Sequence, residues 1–387
     1  MSLLTNHTAA GQALGYFFQL DRTLCNIADS PGGSIIGIET EDDVVVKLIN
    51  GEKIHEQDKS STTTFPFLPS KPDLWKSLLI WAEAIKSEEI NPEQTKFILV
   101  SNKSQSKCLA QKISDAANDA EVLSCLNELK TFNKKSNEVT KNYIEKLFSI
   151  DDETLMKLIS KTTLISGDAM NAEAIKSHLI SSFQIVDGDD EEKLSILNEI
   201  YGWLFNLVRT AWQDNEPAWI ERDAVVRLKN TILTRRVQSF LNEKIFQVRD
   251  ISEQEIAINK LKMYVKQLII IGSSDEEIME AISDYLNSVE KRTQLAKKGY
   301  VTELQIEGMV ENLRKRWITI AKKIPIQNKS LSKEDQGKLI CLDTMDHNAK
   351  IGNMETNNYF LTRGTYHHLS DSLQVGWHPE FQSVLHK

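Results

Sequence analysis

Cysteine is scarce in this 387-residue sequence, and its four cysteines lie far apart, at Cys25, Cys108, Cys125 and Cys341. No Cys-x-x-Cys pair occurs and no histidine stands at zinc-finger spacing, so the sequence predicts neither a zinc site nor a disulfide framework. This use of cysteine is typical of a reducing compartment. We therefore expect a cytoplasmic protein.

Long hydrophobic runs are also absent. The longest, QLIIIG at residues 267–272, is far shorter than the roughly 20 apolar residues that span a membrane. The chain begins MSLLTNHTAAGQALG, without the basic start and apolar core of an export signal. We expect a soluble protein that is neither exported nor inserted in a membrane.

The sequence has no excess of positive charge. Its 46 Lys and Arg against 55 Asp and Glu give a net charge of −9, which argues against a protein that coats nucleic acid through its overall field. A local basic groove is still allowed. No Gly-rich loop ending in Gly-Lys-Ser/Thr occurs, so the chain is not itself a P-loop ATPase.

Length and composition predict two ordinary globular domains, since 41% of the residues are hydrophobic and 26% are charged. The acidic stretch VDGDDEEK, residues 186–193, has no apolar period and is the best candidate linker. We place an α/β domain at residues 1–187 and a mostly helical domain at residues 188–387. The first begins with a helix at residues 11–29, followed by three strands, a helix and another short strand.

The third predicted strand is unusual because it is polar on both faces. It lies in EKIHEQDKSS, residues 52–61, where His55, Gln57 and Lys59 alternate with Ile54, Glu56 and Asp58. A half-buried strand normally has one apolar face. This strand is therefore expected to hold something polar.

Acidic residues lie on the strands that precede it. Glu39 ends the first strand, while Asp42 and Asp43 begin the second. Carboxylate, amide and carbonyl oxygens bind hard divalent cations, and hydrolysis of a phosphodiester uses such a cation together with a lysine that orients water. Gln57 and Lys59 are two apart and share a face. Acid-rich turns are also common at solvated sheet edges. What favours catalysis is that three acids, Gln57 and Lys59 occur together on consecutive strands.

The register of the hairpin around Asn50 and Gly51 decides which aspartate joins the site. A two-residue loop pairs residues whose numbers sum to 101 and places Asp42 opposite Lys59. A three-residue loop with a bulge at Gly51 places Asp43 on the face of Gln57 and Lys59. The sequence leaves both open, and we favour Asp43 because it leads directly into the apolar strand.

The segments GYFFQ, IETEDDVVV and HEQDKSS, followed by LWKSLLIWAEAI, resemble the Cap-four-type nuclease domain of the PD-(D/E)xK superfamily, found in bacterial anti-phage effectors. The resemblance implies a restriction-endonuclease-like α/β fold. It implies catalytic roles for Glu39, Asp43, Gln57 and Lys59, with Asp42 and then Gln19 of the first helix in second rank. Gln57 replaces the usual carboxylate of the superfamily, which should weaken metal binding.

The resemblance also implies a reaction and its cofactor. Mg²⁺, with Mn²⁺ as an alternative, would be held by Glu39, Asp43, Gln57 and the backbone carbonyl of Asp58. Lys59 would position the attacking water on a phosphate of double-stranded DNA.

In the second half, LVRTAWQDNEPAWIERDAVV and RGTYHHLSDSLQVGWHPEFQ resemble the C-terminal regions of subunits in ABC three-component defence systems. A Cap-four-type nuclease with such a region is the layout of the nuclease subunit of Lamassu systems. The resemblance implies an SMC-like ABC ATPase and a small middle subunit as partners, with the nuclease restrained by its ATPase complex. We expect activation by release and self-association, for which a tetramer is one form.

Two other functions are left open by the sequence. A catalytically decayed nuclease fold would act as a scaffold subunit, and a related phosphodiesterase would act on RNA or on a nucleotide. His367, His368 and His378 have no carboxylate or cysteine at ligand spacing, so no second metal site is predicted there. The segment GWHPEF is expected to anchor the tail through its aromatic residues.

Overall fold

The computed structural model describes residues 10–132, 137–186 and 188–385. The chain forms two units, which divide between Ile232 and Leu233. The predicted boundary at residues 187 and 188 lies earlier. The segment between the two positions belongs to the first unit, because β6 (Ala218–Glu221) pairs with β1 (Ile35–Ile38) of the N-terminal sheet.

The first unit is a mixed α/β structure. Its described elements are, in chain order, α1 (Ala10–Asp29), β1 (Ile35–Ile38), β2 (Val44–Lys47), β3 (Lys53–Lys59), α2 (Pro72–Lys86), β4 (Thr95–Ser101), α3 (Leu109–Asp115), α4 (Asp119–Thr131), α5 (Glu138–Leu147), α6 (Asp152–Ser160), β5 (Thr162–Ser166), α7 (Ala172–Ser182), α8 (Asp190–Gln213), β6 (Ala218–Glu221) and the start of α9 (Arg222–Asn242). The helices and strands predicted up to β4 are all present.

The six strands form one mixed sheet in the order β5-β4-β3-β2-β1-β6. β3 is parallel to β4, and β4 is parallel to β5, whereas β1, β2, β3 and β6 pair antiparallel. β3 therefore lies between an antiparallel and a parallel neighbour. Strands β5 and β6 were not predicted from the sequence; both are short and lie at the edges of the sheet.

Helix α2 illustrates how the sequence builds the core of this unit. Pro72 and Asp73 suit its first turn, because proline lacks an N–H that would be unpaired there and an acid favours the helix N-terminus. Its apolar stripe, which includes Leu74, Trp75 and Trp81, is buried. The stripe packs with Phe97 of β4 in one hydrophobic cluster.

Gly37 in β1 is required by close packing. A Cβ atom at this position would lie 2.6 Å from the ring of Trp219, its partner across the β1–β6 pair. The ring is contacted on its face by the Lys47 ammonium, 3.7 Å from the ring centroid. This packing attaches β6 to the edge of the sheet.

In its described residues, the second unit is helical apart from one small hairpin. Its described elements are the rest of α9, α10 (Glu253–Lys260), α11 (Met263–Ile270), α12 (Asp275–Lys297), α13 (Glu303–Gln327), α14 (Lys333–Met345), β7 (Lys350–Ile351), β8 (Met354–Glu355), α15 (Tyr359–Asp371) and α16 (Phe381–Leu385). Trp377 is fully buried in the core of this unit. The expected aromatic anchoring of the tail is confirmed.

Candidate active site

The hairpin between β2 and β3 has the register that places Asp43 in the site. Val44 pairs with Glu56 and Val46 with Ile54, so the numbers of paired residues sum to 100. Gly51 has a φ of +88° and its N–H donates to Leu48 O at 3.0 Å. This is the three-residue loop with glycine in the left-handed region. Asp43 therefore shares a face with Gln57 and Lys59.

Three oxygen atoms converge on the ammonium of Lys59. Lys59 Nζ donates to Asp43 Oδ2 at 2.7 Å, to Gln57 Oε1 at 3.1 Å and to the carbonyl of Asp58 at 3.1 Å. The carboxylate of Asp43 also accepts the backbone N–H of Asp58 at 2.8 Å. The Asp43 and Lys59 side chains are 15% and 26% exposed, so solvent reaches both. Three of the predicted metal ligands thus surround the Lys59 ammonium.

Asp42 has a different environment from its neighbour. Its side chain is 1% exposed, and Trp81 Nε1 of α2 donates to its Oδ2 at 2.6 Å. Its other oxygen accepts the Gln57 amide and the backbone N–H of Asp43. Because both oxygens already have donors, Asp42 is suited to positioning Gln57 rather than to binding a metal.

Glu39 and Gln19 lie together, at the end of β1 and on α1. Gln19 Nε2 donates to Glu39 Oε1 at 2.7 Å. Glu39 has a φ of 49°, a region that few residues other than glycine adopt and that recurs at functional sites. Gln19 is therefore directed at one of the predicted catalytic acids. The Glu39 N–H donates to the Asp43 carbonyl at 3.0 Å, while no described contact joins the Glu39 side chain to Asp43, Gln57 or Lys59.

The residues present fit a hydrated Mg²⁺ with few protein ligands. No group of three or more His, Cys, Asp and Glu side chains in the described ranges is placed to hold a metal ion. The donors around Lys59 are instead one carboxylate, one amide oxygen and one backbone carbonyl. Gln19 Oε1 is buried and has no partner among the described residues. Hard oxygen donors of this kind, together with several waters, suit Mg²⁺.

The opposite face of β3 holds a buried ion pair. Arg22 of α1 donates to both carboxylate oxygens of Glu56, at 2.7 and 3.0 Å, and Asn26 adds a third hydrogen bond at 3.2 Å. Burial by itself would lower the pKa of Arg22, but the charge of Glu56 and the hydrogen bonds to it, with smaller contributions from other acidic groups, together raise it. Arg22, Asn26 and Glu56 thereby fix β3 against α1.

The side chain of Asp58 lies on that same buried face. Its two oxygens have no hydrogen-bond partner within the described residues. Burial, and then the negative charge of Glu56, raise the pKa of the Asp58 carboxyl well above its usual value. Both causes disfavour the charged form of the Asp58 carboxyl, and the backbone carbonyl of Asp58 is the atom that faces the site.

Sequence patterns missed several residues that build the site. Trp81 and Ser77 belong to the α2 stripe, yet Trp81 binds Asp42 and the Ser77 hydroxyl donates to Gln57 Oε1 at 3.3 Å. The one signal in the sequence was the unusual polarity of β3, which indicated that its buried face has polar partners. Arg22 had no signal of its own, because it stands within an otherwise apolar helix pattern.

Comparison with known families concerns the second unit. Residues 264–385 match the model described as C-terminal domain 7 of the ABC-three component (ABC-3C) systems. No curated protein matches the chain. Among the helices that the structure describes, none has the length and apolar composition needed to cross a membrane. The C-terminal match supports the assignment of this chain to an ABC three-component system.

Proposed function

We propose that this chain is a metal-dependent DNA endonuclease, the effector subunit of an anti-phage ABC three-component system of the Lamassu type. The observation that supports it most is the convergence of Asp43 Oδ2, Gln57 Oε1 and the Asp58 carbonyl on Lys59 Nζ. A helix followed by three consecutive strands, with the acids between the first two strands, is also the order expected for a PD-(D/E)xK nuclease domain.

In this proposal Asp43, Gln57 and the Asp58 carbonyl, whose oxygens here accept from Lys59, would hold Mg²⁺ once the ammonium moves aside to the edge of the site. The bound cation supplies positive charge that stabilises the phosphate in the transition state and acidifies water. Asp42 does not bind it, because its oxygens hold Trp81, Gln57 and the Asp43 N–H in place. A site with one charged ligand is expected to need a higher Mg²⁺ concentration than a site with two.

Lys59 has two tasks in the proposed reaction. Its ammonium donates hydrogen bonds that orient the attacking water toward the scissile phosphate. The same charge offsets the negative charge that develops on the phosphate oxygens.

Glu39 and Gln19 form a second polar pair that we assign to the same site. Glu39 is the acid that ends β1, and Gln19 Nε2 orients its carboxylate. We propose that they would position water and the DNA phosphate at this site. Replacement of Gln19 would then act through Glu39, as expected for a positioning residue.

The proposed control of the enzyme depends on other subunits. The C-terminal match to ABC-3C systems supports a chain that works with partners, which we propose to be an SMC-like ABC ATPase and a small middle subunit. The nuclease would be restrained in that complex and activated when it is released. Self-association, with a tetramer as one form, would bring two active sites to the two strands of duplex DNA.

Substrate comparison tests the proposed function against its two alternatives. We expect the protein to cut plasmid and linear duplex DNA in Mg²⁺, and to cut single-stranded DNA and RNA more slowly. Faster cleavage of RNA or of a nucleotide diester would instead favour a different phosphodiesterase. No cleavage of any substrate, by the protein alone or with its partner subunits, would favour a scaffold.

A further inference from the structure

The second unit contains a cavity of about 400 Å³ that lies outside the nuclease site. Helices α11, α12, α14 and α15 contribute to its wall. Part of the lining is apolar and comes from Leu268, Ile271, Ala281, Leu342 and Met345. Its volume is that of a small-ligand pocket or of a pocket for one large side chain.

The polar part of the lining is mainly acidic. Two basic side chains, Lys338 and Arg363, face five acidic ones, Glu277, Glu280, Asp284, Asp343 and Asp346. Two of these acids already have donors, because Glu280 accepts Arg363 at 2.8 Å and Glu277 accepts the Ser274 N–H that caps α12. The remaining acids give the cavity an excess of negative charge.

Asp284 is the buried acid of this cavity. It is 3% exposed, and its Oδ2 lies 4.0 Å from the Arg363 guanidinium, beyond hydrogen-bond distance. Burial raises the pKa of Asp284 to about 6. The carboxylate is therefore charged at neutral pH although the protein stabilises that charge poorly.

His367 is a second buried polar residue of this cavity. It is 3% exposed, lines the same cavity, and its Nδ1 has no hydrogen-bond partner among the residues that the structure describes. Burial lowers the pKa of His367 to about 3, so the imidazole is neutral and one of its nitrogens is an acceptor. Asp284 is paired only loosely, with Arg363 at 4.0 Å, and His367 Nδ1 has no partner among the described residues. Buried polar groups with such poor partners are costly.

From this arrangement we infer that the cavity binds an organic cation, a guanidinium or ammonium group on an aliphatic chain. The cationic group donates to Asp284 and His367, and the chain packs on the apolar side formed by Leu268, Ile271 and Met345. Such a group is available from two sources, a free amine or the arginine or lysine side chain of a partner protein. The inference does not depend on nuclease activity.

Binding of butylguanidinium and of its neutral analogue butylurea to the full chain tests this inference. Calorimetry at pH 7.5 should give a dissociation constant on the order of 1 mM for the cation, and at least about tenfold weaker binding for butylurea. Asp284→Asn should weaken binding of the cation by about tenfold or more. Its thermal unfolding should be unchanged or shifted upward, because a charge that is poorly stabilised has been removed.

Glu276→Gln is the matched control, because Glu276 lies in the first turn of the same helix but is exposed and outside the cavity. A peptide with one central arginine separates the two sources. Tighter binding of the peptide than of butylguanidinium assigns the site to a partner side chain, and the reverse assigns it to a small molecule. Equal binding of the cation and butylurea, an Asp284→Asn variant that binds as the wild type does, or no binding at all would overturn the inference.

Discussion

Replacing Lys59 with alanine is expected to reduce DNA cleavage by about 10²- to 10³-fold, a loss typical when one preorganised charge is removed from an active site. The ammonium is the shared donor to Asp43, Gln57 and the Asp58 carbonyl. The variant should nevertheless fold, because Lys59 is partly exposed at the end of β3. Rates on linear duplex in Mg²⁺, measured beside the thermal unfolding of each protein, check this expectation.

Lys53→Ala is the matched control for that substitution. Lys53 begins the same strand, and its contact is with the exposed Glu41 at 3.3 Å. Its loss should leave the cleavage rate unchanged. The Mg²⁺ concentration for half-maximal activity should not rise in Lys59→Ala, since the ligand oxygens are intact. A wild-type rate in Lys59→Ala, or an equal loss in Lys53→Ala, would contradict the role assigned to Lys59.

Replacing Arg22 with alanine is expected to lower the unfolding free energy of the first unit by about 3–5 kcal/mol, as found when one partner of a buried ion pair is removed. Arg22 is 8% exposed and Glu56 is fully buried. Without the guanidinium, the Glu56 carboxylate would keep the Asn26 hydrogen bond but would have no positive charge beside it, close to Asp58, another buried acid. Urea denaturation of the full chain, followed by tryptophan fluorescence, measures the loss.

Arg227→Ala controls for the loss of an arginine from the same unit. Arg227 is 67% exposed and contacts Glu221 at 3.3 Å, so its replacement should change stability by no more than about 0.5 kcal/mol. A loss in Arg22→Ala as small as that in Arg227→Ala would show that the ion pair does not hold β3. Because β3 also presents Gln57 and Lys59, the cleavage rate of Arg22→Ala should fall with its stability.

The N-terminal half of the first unit was predictable because its signals are local. Asn50-Gly51 between two predicted strands predicts a hairpin, and an apolar helical period predicts α1. The helical spacing of apolar residues did not predict which residues of α1 are buried, since Leu14 and Phe17 are 45% and 54% exposed. A local pattern therefore predicts whether a segment is a helix or a strand better than it predicts which of its residues are buried.

The register and the supporting residues of the site were not predictable from local pattern. A loop of two or three residues fits Asn50-Gly51 equally well, and only the positive φ of Gly51 with the pairing of Val44 and Glu56 separates them. Trp81 and Arg22 are far from β3 in sequence and meet it through tertiary packing. Edge strands β5 and β6 were missed because each follows a helical segment in the sequence and pairs with a single neighbouring strand.

Cleavage of duplex DNA by the wild type and by Asp43→Asn, in Mg²⁺ and in EDTA, is the most direct test of a metal-dependent nuclease. Each protein is assayed alone and with its partner subunits. We expect cutting by the wild type in Mg²⁺, none in EDTA, and a near-complete loss in Asp43→Asn. Cutting that persists in EDTA or in Asp43→Asn, or no cutting by the wild type in either setting, would contradict it.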